Sequence, residues 1–138
     1  MKHIMIDLYG CSPSLLTNEA LLHQVLDEYP EHIGMEKVSP VFLQDVQTSS
    51  PLDEGMSGFV IIATSHVSLH AWPHYGMVNI DIFSCEQFNT ETAAHVAMQM
   101  FQTQDIELHE VERAQRSPRG TKQTQLPAEE EVKTRQES

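Results

Sequence analysis

Residues 58–85 read GFVIIATSHVSLHAWPHYGMVNIDIFSC, and the spacing of apolar residues in this stretch decides the fold. GFVIIAT is a nearly continuous apolar run of strand length, and HVSLHAW alternates apolar with polar positions. In MVNIDIFS, Val78, Ile80 and Ile82 fall on one side and Asn79, Asp81 and Phe83 on the other. A period of two predicts strands with one buried face. PHYG at 73–76 is a turn signal, so the last two of these strands should pair as a hairpin.

Outward from this centre the pattern stays mixed. HIMIDLY alternates Ile4, Ile6 and Leu8, which predicts a strand over 3–9. Positions 21, 22, 25, 26 and 29 are apolar at helical spacing, with Thr17 or Asn18 to cap the helix and Pro30 to stop it. KVSPVFLQDVQ predicts a strand within 36–47 whose Pro40 favours an edge or a bend, and TSSPLDEG after it is a loop by composition. TETAAHVAMQMFQ at 90–102 carries a helical apolar stripe, and DIELHEVER closes with a strand. The fold class is α+β, two helices against a mainly antiparallel sheet.

A chain of 138 residues is one domain by length. That domain should end near residue 113, because 114–138 (AQRSPRGTKQTQLPAEEEVKTRQES) lacks apolar periodicity and is expected to be a disordered tail. The formal charge of −12 is unevenly spread: residues 1–113 hold 3 Lys+Arg against 16 Asp+Glu. Such a surface disfavours nucleic acid and anionic membranes and attracts small cations. The start MKHIMIDLYG lacks signal-peptide character, and no apolar run reaches the roughly 18 residues of a membrane span. A cytoplasmic protein with Cys11 and Cys85 as free thiols is expected.

The segment TSHVSLHAWPHYG at 64–76 holds the chemistry. His66, His70 and His74 would share a helix face, but Pro73 and the strand-like flanks oppose a helix, and on a strand they are too spread to grip one ion. No metal is expected. Thr64-Ser65 stands where an apolar strand meets a polar segment, a place where a serine could attack a polarised carbonyl, with His70 as a proton shuttle. Cys85 would return beside them if the hairpin forms. A buried serine and a buried cysteine with no catalytic part fit those residues equally well.

Taken together, GMSG at 55–58, FVIIA, SHVSLHAWPHYG and NIDIFSC ending at Cys85 resemble the prokaryotic S-adenosylmethionine decarboxylase proenzymes, small pyruvoyl-dependent enzymes of polyamine synthesis. The resemblance runs from about residue 2 to residue 113, including DLYGC and DEYPEHIGM. It implies a zymogen in which Ser65 attacks the Thr64 carbonyl, turning an amide into an ester whose β-elimination cuts the chain between Thr64 and Ser65. Ser65 would become a pyruvoyl group that takes the substrate amine as a Schiff base. By the same resemblance His70 accepts a proton during processing, Ser57 helps hold the oxygen where charge develops, and Cys85 is the proton donor in turnover. It further implies a homodimer with a four-layer αββα arrangement, and S-adenosylmethionine as substrate, giving the aminopropyl donor for spermidine.

Two positions depart from the family pattern. Thr64 stands where a glutamate usually precedes the processed serine, and β-branching there is expected to slow processing. His74 stands where a glutamate contacts the ribose, and an imidazole offers one acceptor instead of two oxygens. A pyruvoyl-dependent decarboxylase of ornithine or arginine, or an unprocessed homologue that binds a partner or ligand, therefore stand beside the main reading.

Overall fold

The computed structural model describes residues 1–118. Six strands form one sheet: β1 (Lys2–Tyr9), β2 (Phe42–Val46), β3 (Gly55–Ile62), β4 (Ser65–Trp72), β5 (Met77–Ser84) and β6 (Asp105–Glu112). Their order is β2-β3-β4-β5-β1-β6, and every neighbouring pair is antiparallel. The central strands β3, β4 and β5 are the three runs of the 58–85 stretch, joined by tight turns.

Alternation in the sequence becomes a two-faced sheet. One face carries Ile4, Ile6, Leu8, Val60, Val67, Leu69, Val78, Ile80 and Ile82, all buried. It is covered by α2 (Glu19–His32) through Leu22, Val25, Leu26 and Tyr29, and by α3 (Thr90–Phe101) through Ala93, Ala97 and Phe101. The small alanines let α3 lie close to the sheet, while Tyr29 fills the space between the helices and donates its hydroxyl to the Ala93 carbonyl at 2.5 Å. Both of these helices start on an asparagine whose side chain accepts a backbone N–H, Asn18 from Leu21 and Asn89 from Thr92. A cap of that kind contributes about 1 kcal/mol.

Three local expectations change. Pro30 does not stop α2, which continues to His32. A proline near the last turn forfeits one N–H, and here its own carbonyl still accepts from Ile33 at 3.2 Å and Met35 at 2.8 Å. The helix ends at Gly34, whose φ of +77° suits a residue without a side chain. The strand expected over 36–47 divides at Pro40 into a bridge from Lys37 to Ile62 and the edge strand β2. A short helix α1 (Pro13–Leu16) also precedes α2. Within the tail expected to be disordered, the Ser117 N–H closes a turn on the Ala114 carbonyl at 2.9 Å, and 119–138 lie outside the described residues.

Two glycines bracket Ser57 and let β3 sit tightly between its neighbours. A Cβ on Gly55 would lie 1.9 Å from the Ala71 carbonyl oxygen, and one on Gly58 would lie 2.5 Å from that of Phe42. Those are backbone atoms, so a side chain at either place would have to part the strands that align Ser57 with His70.

Candidate active site

Among the described residues no helix lies over the second face of the sheet. Register sets its rows: Ser57 faces His70, His70 faces Asn79, Asn79 faces Asp7, and Asp7 faces Glu107, one residue from each of β3, β4, β5, β1 and β6. The His70 Nδ1 and Ser57 Oγ are 2.8 Å apart. Trp72 Nε1 donates to Asn79 Oδ1 at 2.6 Å, and Asn79 Nδ2 donates to Asp7 Oδ1 at 2.6 Å. Asn79 is thus fixed from both ends, and it borders the imidazole of His70. Glu107 and His109 bring further ligand-type atoms near Asp7. Groups so placed are common on acidic surfaces, and nothing further marks them as a metal centre.

A second group of residues expected at the site gathers at the other end of β4. The turn at 63–64 joins β3 to β4, and Ser65 opens β4 with a φ of 156°, a positive value that L residues rarely adopt, so backbone strain is stored at the residue that follows the Thr64 carbonyl. The Thr64 carbonyl accepts the Cys85 N–H at 2.8 Å. Ser84 Oγ donates to Thr64 Oγ1 at 2.9 Å and accepts the Glu86 N–H at 3.1 Å. A backbone bridge from Glu36 supports the same turn, its carbonyl accepting the Ala63 N–H at 2.9 Å. Beside the turn lies a cleft of about 370 Å³ lined in part by Met35, Glu36, Thr64, Ser84 and Phe88.

Residues 2–114 match the family pattern described as S-adenosylmethionine decarboxylase. The chain belongs to this family. An S-adenosylmethionine decarboxylase proenzyme of Archaeoglobus fulgidus is 39% identical over 84 residues, which span 61% of this chain and 70% of that one. The protein of the same name from Acetivibrio thermocellus is 29% identical over 113 residues, 81% of this chain and 86% of that one. The crystal structure of the adenosylmethionine decarboxylase from Aquifex aeolicus VF5 superposes with a TM-score of 0.63 at 23% identity, covering 81% of this chain and 88% of that one. At that identity the likeness speaks for the fold alone.

Within this decarboxylase-family chain the site residues expected from sequence fall into two sets. Thr64, Ser65 and Cys85 come together at one sheet end, as the hairpin reading required. Ser57 and His70 come together on the open face. The sets do not meet within one chain: five residues of strand separate Ser65 from His70 by about 16 Å. His74 lies in the hairpin turn beyond Trp72, lining a cleft of about 190 Å³ with Asp45, Glu54, Met56 and Pro73. Sequence reading missed Asn79, Asp7 and Ser84. Alternation in HIMIDLY and NIDIFS already placed the first two off the core face, but their contact needed the strand order.

The open face is half apolar. Phe42, Val46, Phe59, Ile61 and Val111 are exposed on it, and the rings of Phe42 and Phe59 stack at 4.8 Å. His66 lies among them, with its ring 5.9 Å from that of Phe83. Burial, then the neighbouring His3, hold its pKa below the ordinary value of 6.5, with Arg113 adding to the effect and Asp81 opposing it. A base depressed in the folded state binds its proton at higher pH when unfolded, so its contribution to stability is full above the unfolded value and declines as pH falls through it. The thermal midpoint is expected to drop between about pH 7 and about pH 5, with a smaller drop in His66→Gln. An equal slope in both proteins would assign the acid sensitivity to other groups.

Among the described residues no helix is long and apolar enough to cross a membrane. Burial pushes the Cys11 thiol up.

Proposed function

We propose that the chain is a self-processing decarboxylase of S-adenosylmethionine that makes its own pyruvoyl group from Ser65 and supplies an aminopropyl donor for spermidine synthesis. The observation that carries this is the Thr64–Ser65 peptide: a serine follows a carbonyl already held by the Cys85 N–H, in a chain of a family whose relatives are named as proenzymes. A donor on that oxygen polarises the carbonyl and holds negative charge as it develops.

Cleavage follows from these groups. The Ser65 oxygen bonds to the Thr64 carbonyl carbon, the C–N bond breaks, and the hydroxyl proton passes to the freed nitrogen, leaving an ester. A base then takes the α-proton of residue 65, the Cβ–O bond breaks, and Thr64 departs as a carboxylate. Water replaces the nitrogen, which leaves as ammonia, and the products are chains 1–64 and 65–138. The pyruvoyl group, when present, supplies an electron sink for loss of carbon dioxide from an α-amino acid. By the family resemblance Cys85, whose N–H meets the Thr64 carbonyl, returns a proton to substrate carbon.

The base is His70, oriented through Nδ1 by Ser57, and it comes from a second copy of the chain. Two observations support this: Ser65 and His70 stand at opposite ends of β4, and the face bearing His70 is uncovered among the described residues and studded with Phe42, Phe59, Ile61 and Val111. A two-fold axis between two such faces, running across the strands, sets the Ser65 end of one copy over the Ser57–His70 end of the other. The result is an αββα homodimer with two shared sites. Asp45 and Glu54, in the cleft with His74, keep that end electronegative where the family's glutamate is missing, which suits a sulfonium cation.

The test is carbon dioxide release from carboxyl-labelled S-adenosylmethionine, with ornithine and arginine in parallel. Release from S-adenosylmethionine alone is expected. Release from either plain amino acid in its place would overturn the substrate assignment, and none from any of the three would overturn catalysis.

A further inference from the structure

The hydroxyl of Ser84 has no part in the chemistry above, yet it is placed where that chemistry is set up. Its residue is 1% exposed, the last of β5, directly opposite Ser65 on β4 and Lys2 on β1. Lys2 turns its ammonium elsewhere, to the Phe88 carbonyl at 2.6 Å and Glu110 at 3.1 Å. Ser84 Oγ accepts the Glu86 N–H at 3.1 Å, and its single proton goes to Thr64 Oγ1 at 2.9 Å. The next residue, Cys85, gives its N–H to the Thr64 carbonyl at 2.8 Å. Thr64 is therefore gripped at its side chain and at its carbonyl from two successive positions of one strand end.

We infer that Ser84 is a positioning residue for chain cleavage: its hydroxyl holds the Thr64 side chain so that the Thr64 carbonyl, fixed by the Cys85 N–H, keeps one orientation while Ser65 attacks. The inference rests on the self-processing reading. The physical basis is the anchor itself: a hydrogen bond to the Thr64 hydroxyl fixes χ1 and with it the backbone one bond away. Without that anchor the carbonyl is held by a single donor and can rock out of line, and a small misplacement of reacting atoms is costly. Thr64 thus has a partner at the position where the family pattern has a glutamate. After cleavage the same contacts retain the new carboxyl end of chain 1–64 beside residue 65.

The experiment measures the rate of conversion of freshly translated full-length chain to 1–64 and 65–138 by denaturing electrophoresis and mass spectrometry. Ser84→Ala and Thr64→Val each remove one side of the pair and should slow conversion about fivefold, the size of one ordinary hydrogen bond. The double variant should be no slower than the slower single one, because the two changes remove the same interaction. Thr64→Ser keeps the hydroxyl and should convert near the parental rate. Thermal unfolding of the uncleaved chains separates this from a general loosening, and if Ser84→Ala does not fold, the contrast of Thr64→Val with Thr64→Ser decides. Equal rates for Ser84→Ala and parent, multiplying effects in the double variant, or equal rates for Thr64→Val and Thr64→Ser would each overturn the role of Ser84. A parent chain that never cleaves would instead overturn the self-processing reading beneath it.

Discussion

Ser65→Ala is expected to leave one uncut chain with no decarboxylase activity. Removing the hydroxyl oxygen removes the nucleophile, and an amide in water at neutral pH does not shift or hydrolyse on any experimental timescale without one. The loss is total, since the same side chain is both the cutter and the precursor of the electron sink. Ser65 is half-buried at a strand start, and its neighbours bond chiefly to backbone or to Thr64, so the fold should tolerate the change. Electrophoresis under denaturing conditions reads the result directly. A cut Ser65→Ala chain would move the cleavage site elsewhere.

The second large effect concerns the sharing of sites between copies. His70→Ala alone should also fail to cut, because every copy then lacks the base. Coexpressed with Ser65→Ala under distinguishable tags, however, the His70→Ala chain should be cleaved and activity should return to about a quarter of the parental level, as random pairing gives one intact site in half of the dimers. The reasoning is geometric. About 16 Å of strand lies between Ser65 and His70 in one chain, far beyond hydrogen-bond reach, so a base that serves Ser65 has to arrive on another copy. A His70→Ala chain that cuts itself unaided, or a mixture in which neither chain is cut, would show that His70 does not serve a partner's Ser65.

Most of the scaffold was legible because one signal dominated it. Strict alternation in HIMIDLY, HVSLHAW and MVNIDIFS leaves no other face to bury, and the structure buries that face under α2 and α3. What escaped was set by contacts between distant segments. Pro30 stays within α2 because its carbonyl finds Ile33 and Met35, and no propensity encodes that. β2 is shorter than the apolar run at 37–47 because Lys37 and Val38 bond β3 on the other side of Pro40.

The site was half legible. Serine, histidine and cysteine could be picked out by type, and the hairpin that returns Cys85 to Thr64 followed from the turn at PHYG. The division into two ends was present in the numbering, since five residues of strand span about 16 Å. Ser84 was invisible because its partner, Thr64, is twenty residues away and meets it only through the β4–β5 register.

The most direct measurement is the denatured mass spectrum of freshly purified parent protein. Two masses are expected, chain 1–64 with an ordinary carboxyl end and chain 65–138 lighter than its encoded mass by one ammonia. A single full-length mass that persists on incubation would contradict self-processing at Ser65.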